Sequence, residues 1–387
     1  MAPQTLTSKE MLAKLVSFDT TSAKTNIPLI EFVEGYLDSH GIESNRVETP
    51  DGQKSSLHAV IGPQGVPGFG LSGHTDVVPV TGQNWATNPF ELTQKGTRLY
   101  GRGSCDMKGF LACVLSHVPN FKSRDLKTPM HILFSYDEEV GCTGVRPMIG
   151  ELGNRLTAPR IVFVGEPTSM KVVDAHKSIN GFESVFTGKE SHSGKPHLGA
   201  NAIHAAGRLV AELATIDDEL KARAEGPRFD PPYTNVSVAL IEGGAARNIT
   251  PKDCKVTWMF RAVQTKDVEE ITARVRKFTA EKILPTLRDT YPDADIVTTQ
   301  TSGVPPLNAP EGSPAVSLAL KLAGQNETFA VSYGTEGGLF EEAGFSSVII
   351  GPGDISQAHA PDEFVEESEL EKCSEFLDRL ADHAETE

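Results

Sequence analysis

The segment Gly70-Leu71-Ser72-Gly73-His74-Thr75-Asp76-Val77-Val78-Pro79 constrains the fold more than any other. Its apolar and small residues read as a buried strand, and Pro79 stops the ladder. Residues two apart in a strand project to one face, so His74 and Asp76 point together beyond the strand's carboxyl end. Open α/β sheets place their ligands at that edge. A histidine with a carboxylate two residues on suits a metal ligand plus the acceptor that fixes its tautomer. It also suits an ordinary hydrogen-bonded strand end.

The pattern recurs along the chain. Asp106, in Gly101-Arg102-Gly103-Ser104-Cys105-Asp106-Met107-Lys108-Gly109, precedes a helix, where a capping aspartate is the simplest reading. Asp137-Glu138-Glu139 close an apolar strand over 129–136. A solvated loop accounts for such acids, yet three anions at a buried strand end repel one another unless a cation sits there. Glu166 follows the apolar Phe163-Val164-Gly165, and His359 lies nine residues beyond the strand end Ile350. Together His74, Asp106, Glu139, Glu166 and His359 supply two imidazoles and three carboxylates. That set is enough for two zinc-like ions bridged by one carboxylate, with a hydroxide held between them. Glu138, not needed as a ligand, is the base for the water's proton, its pKa raised by the neighbouring anions.

A chain of 387 residues suits two domains better than one. Up to about residue 177 strands and helices alternate, as in a doubly wound α/β sheet. Beyond it come half-exposed strands at Phe182–Thr187, Asn235–Ile241 and Cys254–Arg261, with helices at Ala200–Ala214 and Val268–Ile283. The expected architecture is a discontinuous α/β domain with a doubly wound mixed sheet, residues 1–177 and 285–387, carrying an inserted α+β lid over 178–284. Lys plus Arg number 36 against 52 Asp plus Glu, a net charge of −16. That balance argues against a nucleic-acid partner. No apolar run approaches a membrane span, and the first residues lack a signal-peptide core. Five cysteines without CxxC spacing favour reduced thiols in a cytoplasm.

Gly73-His74-Thr75-Asp76-Val77-Val78-Pro79, Gly101-Arg102-Gly103 through Asp106-Met107-Lys108-Gly109, Asp137-Glu138-Glu139 and Gly165-Glu166-Pro167-Thr168 resemble the two-zinc amidohydrolases. This family includes acetylornithine deacetylase, succinyl-diaminopimelate desuccinylase, aminoacylase-1 and carboxypeptidase G, and the likeness spans nearly the whole chain. It implies two Zn²⁺, with Co²⁺ able to substitute. His74, Asp106 and Glu166 would hold one ion, and Asp106, Glu139 and His359 the other. It makes Asp76 the residue that orients His74, and Glu138 the general base and later the general acid. Glu166 stands where related aminopeptidases carry Asp, which points to the deacylase side.

The lid has its own matches. Ser191-His192-Ser193-Gly194 is similar to the motif whose histidine polarises the scissile carbonyl across a homodimer interface. Asn248, in Arg247-Asn248-Ile249-Thr250-Pro251, and Arg261 match substrate-binding positions, although a turn Asn and a surface Arg are common without that role. Gly351-Pro352-Gly353 through Ala358-His359-Ala360-Pro361-Asp362-Glu363 and Ser332-Tyr333-Gly334-Thr335-Glu336-Gly337 resemble the acetylornithine-cleaving branch. There Glu336 would meet a cationic side chain. The implied activity is removal of acetate from N2-acetyl-L-ornithine. Another N-acyl amino acid hydrolase, a dipeptidase, or a silent binding protein marked by a lost ligand are the alternatives.

Overall fold

Gly68–His74 is a strand buried along its whole length in the computed structural model, which describes residues 5–224 and 227–387. The chain divides into two units. The first comprises Met1–Ala175, Ala309–Phe329 and Thr335–Glu387, and the second His176–Asn308 with Ala330–Gly334.

In the first unit the strands lie in the order Ser44–Glu48, Ser55–Ile61, Met130–Ser135, Gly68–His74, Pro159–Val164, Ser346–Ile349. The last four run parallel, while the first two are antiparallel additions at one side. Parallel strands are covered on both faces and therefore read as near-continuous apolar runs. The register sets His74 beside Ser135 and Ser72 beside Val164, so the carboxyl ends fall along one edge. A Cβ on Gly73 would stand 2.6 Å from Met107 Cε, and one on Gly165 2.0 Å from the Phe110 ring. The absence of those side chains lets the helix Lys108–Ser116 lie directly on the strands, with Asp106 just ahead of it. Ser72 belongs to the opposite face and reaches Glu336, at the start of helix Gly337–Glu342. Helices thus cover both faces, as in a doubly wound sheet.

The first helix, Ser8–Val16, opens with a capping box of Thr7 and Glu10. The last, Glu367–Ala384, inserts Leu370, Phe376, Leu377 and Leu380 into the same core. Each such buried side chain contributes about 1.5–3 kcal/mol relative to exposure.

The second unit is a four-stranded antiparallel sheet in the order Asn235–Gly243, Asp253–Arg261, Ile179–Thr187, Asp295–Val304. Its inner face stacks Phe182 on Trp258 with ring centroids 4.4 Å apart. Helix Ala202–Ala222, capped by Asn201, packs its apolar stripe into this core. The insertion expected over 178–284 falls within this second unit, which continues to Asn308. Asp295–Val304 pairs with the full length of Ile179–Thr187. Most of its side chains are exposed, so it carries no apolar alternation and is held by backbone pairing.

Candidate metal centre

All seven residues expected at the carboxyl edge lie in the first unit. His74 is 1% exposed. Its Nδ1 lies 2.9 Å from the Asp76 carbonyl oxygen and 3.5 Å from the Asp76 carboxylate, leaving Nε2 to face the cluster. The Asp76 carboxylate accepts from Ser22 Oγ (2.7 Å) and from the amides of Glu138 (3.1 Å) and Glu139 (3.4 Å). One buried anion therefore ties the His74 strand end to the acidic turn.

Asp106 does not cap its helix. The cap position is Met107, with no side-chain bond. Asp106 Oδ1 instead lies 3.1 Å from His74 Nε2, and Oδ2 lies 3.4 Å from His359 Nε2. Glu139 Oε2 is 3.0 Å from His359 Nε2, and Glu166 Oε1 is 3.7 Å from His74 Nε2. Ligand-type atoms of His74, Asp106 and Glu139 all fall within 4.8 Å of one another, as do those of His74, Glu138 and Glu166. Glu138 thus stands among the donors rather than behind them.

The electrostatics fit cations. Among the described residues, Glu139 Oε1 and Glu166 Oε1 are buried without a hydrogen-bond partner. Such an atom is costly unless something positive meets it. Burial, reinforced by Asp106 and Glu138, pushes the Glu166 carboxyl well above its usual range. Burial likewise raises Glu138, to about 8, against the pull of His74 and with added repulsion from Glu139 and Asp106. Burial would raise Asp106 too, but His359 and His74 together hold it below the ordinary carboxylate range. A divalent cation among these carboxylates would offset the repulsion and the burial that raise them.

His192, Asn248 and Arg261 belong to the second unit. His192 is exposed, and its Nδ1 accepts from the Gly194 amide at 3.0 Å, which assigns the ring proton to Nε2. Its strand segment bridges Ile249, and the Ser193 amide donates to the Asn248 carbonyl at 3.0 Å. Asn248 is itself exposed. Beside it opens a cleft of about 680 Å³, lined in part by Ser193, Asn201, Arg247 and Thr250. Arg261 is half-buried, and burial lowers its pKa. Glu336, in the first unit, is 1% exposed and accepts from the Ser135 and Ser72 hydroxyls. Burial raises its carboxyl to about 7.

Sequence reading passed over Ser22 and the buried Arg102–Glu363 pair. Glu363 stands in the loop that follows His359, but nothing in the sequence pairs it with Arg102.

The model of Peptidase family M20/M25/M40 matches residues 70–383. An acetylornithine deacetylase of Myxococcus xanthus is 35% identical over 379 residues, with 96% of each chain covered. One from Proteus mirabilis is 31% identical, covering 95% of this chain and 93% of its own. Among solved structures, a tripeptidase of Staphylococcus aureus superposes with a TM-score of 0.75 at 18% identity, over 100% of both chains. A dinuclear metal-binding peptidase of Bacillus subtilis superposes with a TM-score of 0.68 at 17% identity, covering 97% of this chain and 96% of its own. At such identities these two bear on the fold alone.

Proposed function

The chain belongs to peptidase family M20/M25/M40, and on that premise we propose that this metal-dependent amide hydrolase cleaves N2-acetyl-L-ornithine to acetate and L-ornithine. The observation that carries the choice of substrate is the likeness to acetylornithine deacetylases at 27–35% identity over about 95% of the chain. A step of arginine biosynthesis in a reducing cytoplasm belongs to the same reading, and the five free, buried cysteines accord with it. No helix among the described residues is long and apolar enough to cross a membrane.

His74, Asp106 and Glu166 would hold one Zn²⁺, and Asp106, Glu139 and His359 the other, with Co²⁺ able to replace either. Bound there, the pair supplies the charge that acidifies a water and draws electron density from the scissile carbonyl. Glu138 takes the attacking water's proton and delivers it to the departing amine nitrogen, so the amide and one water become acetate and a free amine. Its raised pKa suits both transfers. Asp76 keeps His74 and the Glu138–Glu139 turn in place.

The substrate's α-carboxylate suits the Arg261 guanidinium, with Asn248 as a neutral partner. His192, carrying its proton on Nε2, would donate to the carbonyl oxygen as that atom becomes an oxyanion. In this reading it does so from a second copy of the chain. Asn235–Gly243 lies at an edge of its sheet with Leu240 and Ile241 57% and 52% exposed, features that suit a two-fold dimer. Glu336, sealed by Ser135 and Ser72, fits a place beneath the strand ends better than a contact with the ornithine side chain.

A substrate panel tests the reading. Metal-replete protein should show its highest kcat/KM on N2-acetylornithine, ahead of N-succinyl-diaminopimelate, N-acetylmethionine and dipeptides. A clear preference for any of the others would overturn the substrate assignment.

A further inference from the structure

Arg102 and Glu363 form an ion pair with 1% of either side chain exposed, Nη1 to Oε2 at 2.5 Å. A pair taken so far out of water adds little net stability, which directs attention to what it positions. Glu363 Oε1 accepts from the amides of Cys105 (2.9 Å) and Asp106 (3.0 Å), and Oε2 from that of Gly103 (3.0 Å). The loop that presents the central carboxylate, Asp106, is therefore wrapped around one buried anion.

Arg102 continues the chain of contacts. Its Nη2 donates to Gln83 Oε1 at 2.6 Å, and Gln83 Nε2 donates to the His359 carbonyl at 2.8 Å. His359 has a φ of +62°, in the left-handed region that a side-chain-bearing residue adopts only when its surroundings impose it. Its side chain is 55% exposed, against 1% for His74, so packing does little to orient it. Glu363 lies four residues beyond His359, and the circuit closes through the main chain. Gln83 and Glu363 reach His359 and Asp106 through their backbone groups alone.

We propose that Glu363, Arg102 and Gln83 are positioning residues that hold Asp106 and His359 in register as donors to one divalent ion. The inference rests on the ligand assignment above. It predicts that the Gln83 link, which reaches His359 alone, governs the ion shared by Asp106, Glu139 and His359, whereas Glu363, which holds the bridging Asp106, bears on both ions.

The test is an equilibrium titration of the chelator-stripped full chain with Co²⁺, read by calorimetry and visible absorbance, beside the Tm of the metal-free protein. Gln83→Leu breaks the link while leaving the Arg102–Glu363 pair intact. Gln83→Glu can still accept from Arg102 but cannot donate to the His359 carbonyl. Both should weaken the second ion about tenfold to a hundredfold, with the first ion and the metal-free Tm unchanged. Glu363→Gln should weaken both ions, because Asp106 serves both, and lower the Tm by leaving the buried Arg102 without its counter-charge. Wild-type affinities for both ions in the two Gln83 variants would overturn the inference. So would equal weakening of both ions with a lowered Tm in those two variants, which marks a merely structural role. A wild-type chain that binds fewer than two ions would overturn the ligand assignment itself.

Discussion

The strand-end cluster of the first unit and the His192–Asn248 loops of the second solve different physical problems. In the cluster His74 and Asp106 are almost fully buried, and Asp76 fastens the acidic turn to the His74 strand. Charges in so dry a place stay ionised only if cations meet them, so preorganisation is bound up with metal binding. In the loops the side chains of His192 and Asn248 are exposed, and apart from the Gly194 amide on His192 Nδ1 the bonds described run through the backbone. A donor that must meet a substrate which arrives and leaves belongs on such a surface. The two regions also differ in their scaffold. Apolar parallel strands deliver the ligands, whereas a half-exposed antiparallel sheet carries the loops.

The sharpest way to break this division of labour is Glu138→Gln. Kcat should fall about 10²–10⁴-fold while metal content holds, because five other donors remain. Steady-state kinetics with elemental analysis checks it. Loss of an ion alongside activity would make Glu138 a ligand, as its closeness to His74 and Glu166 would then require. His192→Ala should come next, lowering kcat about 10²–10³-fold with both ions retained. Unchanged turnover would leave the exposed loops without a part in the chemistry.

Smaller effects sharpen the buried side of the comparison. Asp76→Ala removes the acceptor of Ser22 and of two turn amides, and should weaken metal binding about tenfold to a hundredfold. Competition with a chromogenic chelator measures this, and wild-type affinity would sever the turn from the site. The least effect concerns His58 and His131, paired at 3.2 Å far down their strands. Burial holds them neutral down to about 4 and about 3 respectively, whereas unfolded imidazoles protonate near about 6.5. Between those values the unfolded chain binds more protons, so stability is full above about pH 6.5 and is lost as pH falls toward 4. His131→Gln should flatten that acid slope in Tm, and an unaltered slope would show that the pair does not set it.

That these residues gather at one place was legible in the sequence where a residue closes an apolar run, because strand geometry sends such residues to one edge. His74, Glu139 and Glu166 follow this rule directly. Asp106 was ambiguous, since a capping aspartate and a ligand look alike before a helix, and the position of Met107 at the cap sets the capping reading aside. The strand Asp295–Val304 escaped notice because its exposed, threonine-rich face has no apolar period. The Glu363 circuit was invisible for another reason. Apart from Arg102–Gln83 its contacts join residues more than 250 positions apart, several of them through backbone groups that carry no sequence signal. For Glu336, nearness to the site was readable but burial was not, and burial changes what its carboxylate can touch.

The central claim is that the five strand-end and loop donors hold two divalent ions on which amide hydrolysis depends. Elemental analysis of the active protein, followed by chelation and readdition of Zn²⁺, tests it most directly. The account predicts two ions per chain, activity lost with them, and activity restored by Zn²⁺ or Co²⁺. Full activity in protein that carries no transition metal would contradict it.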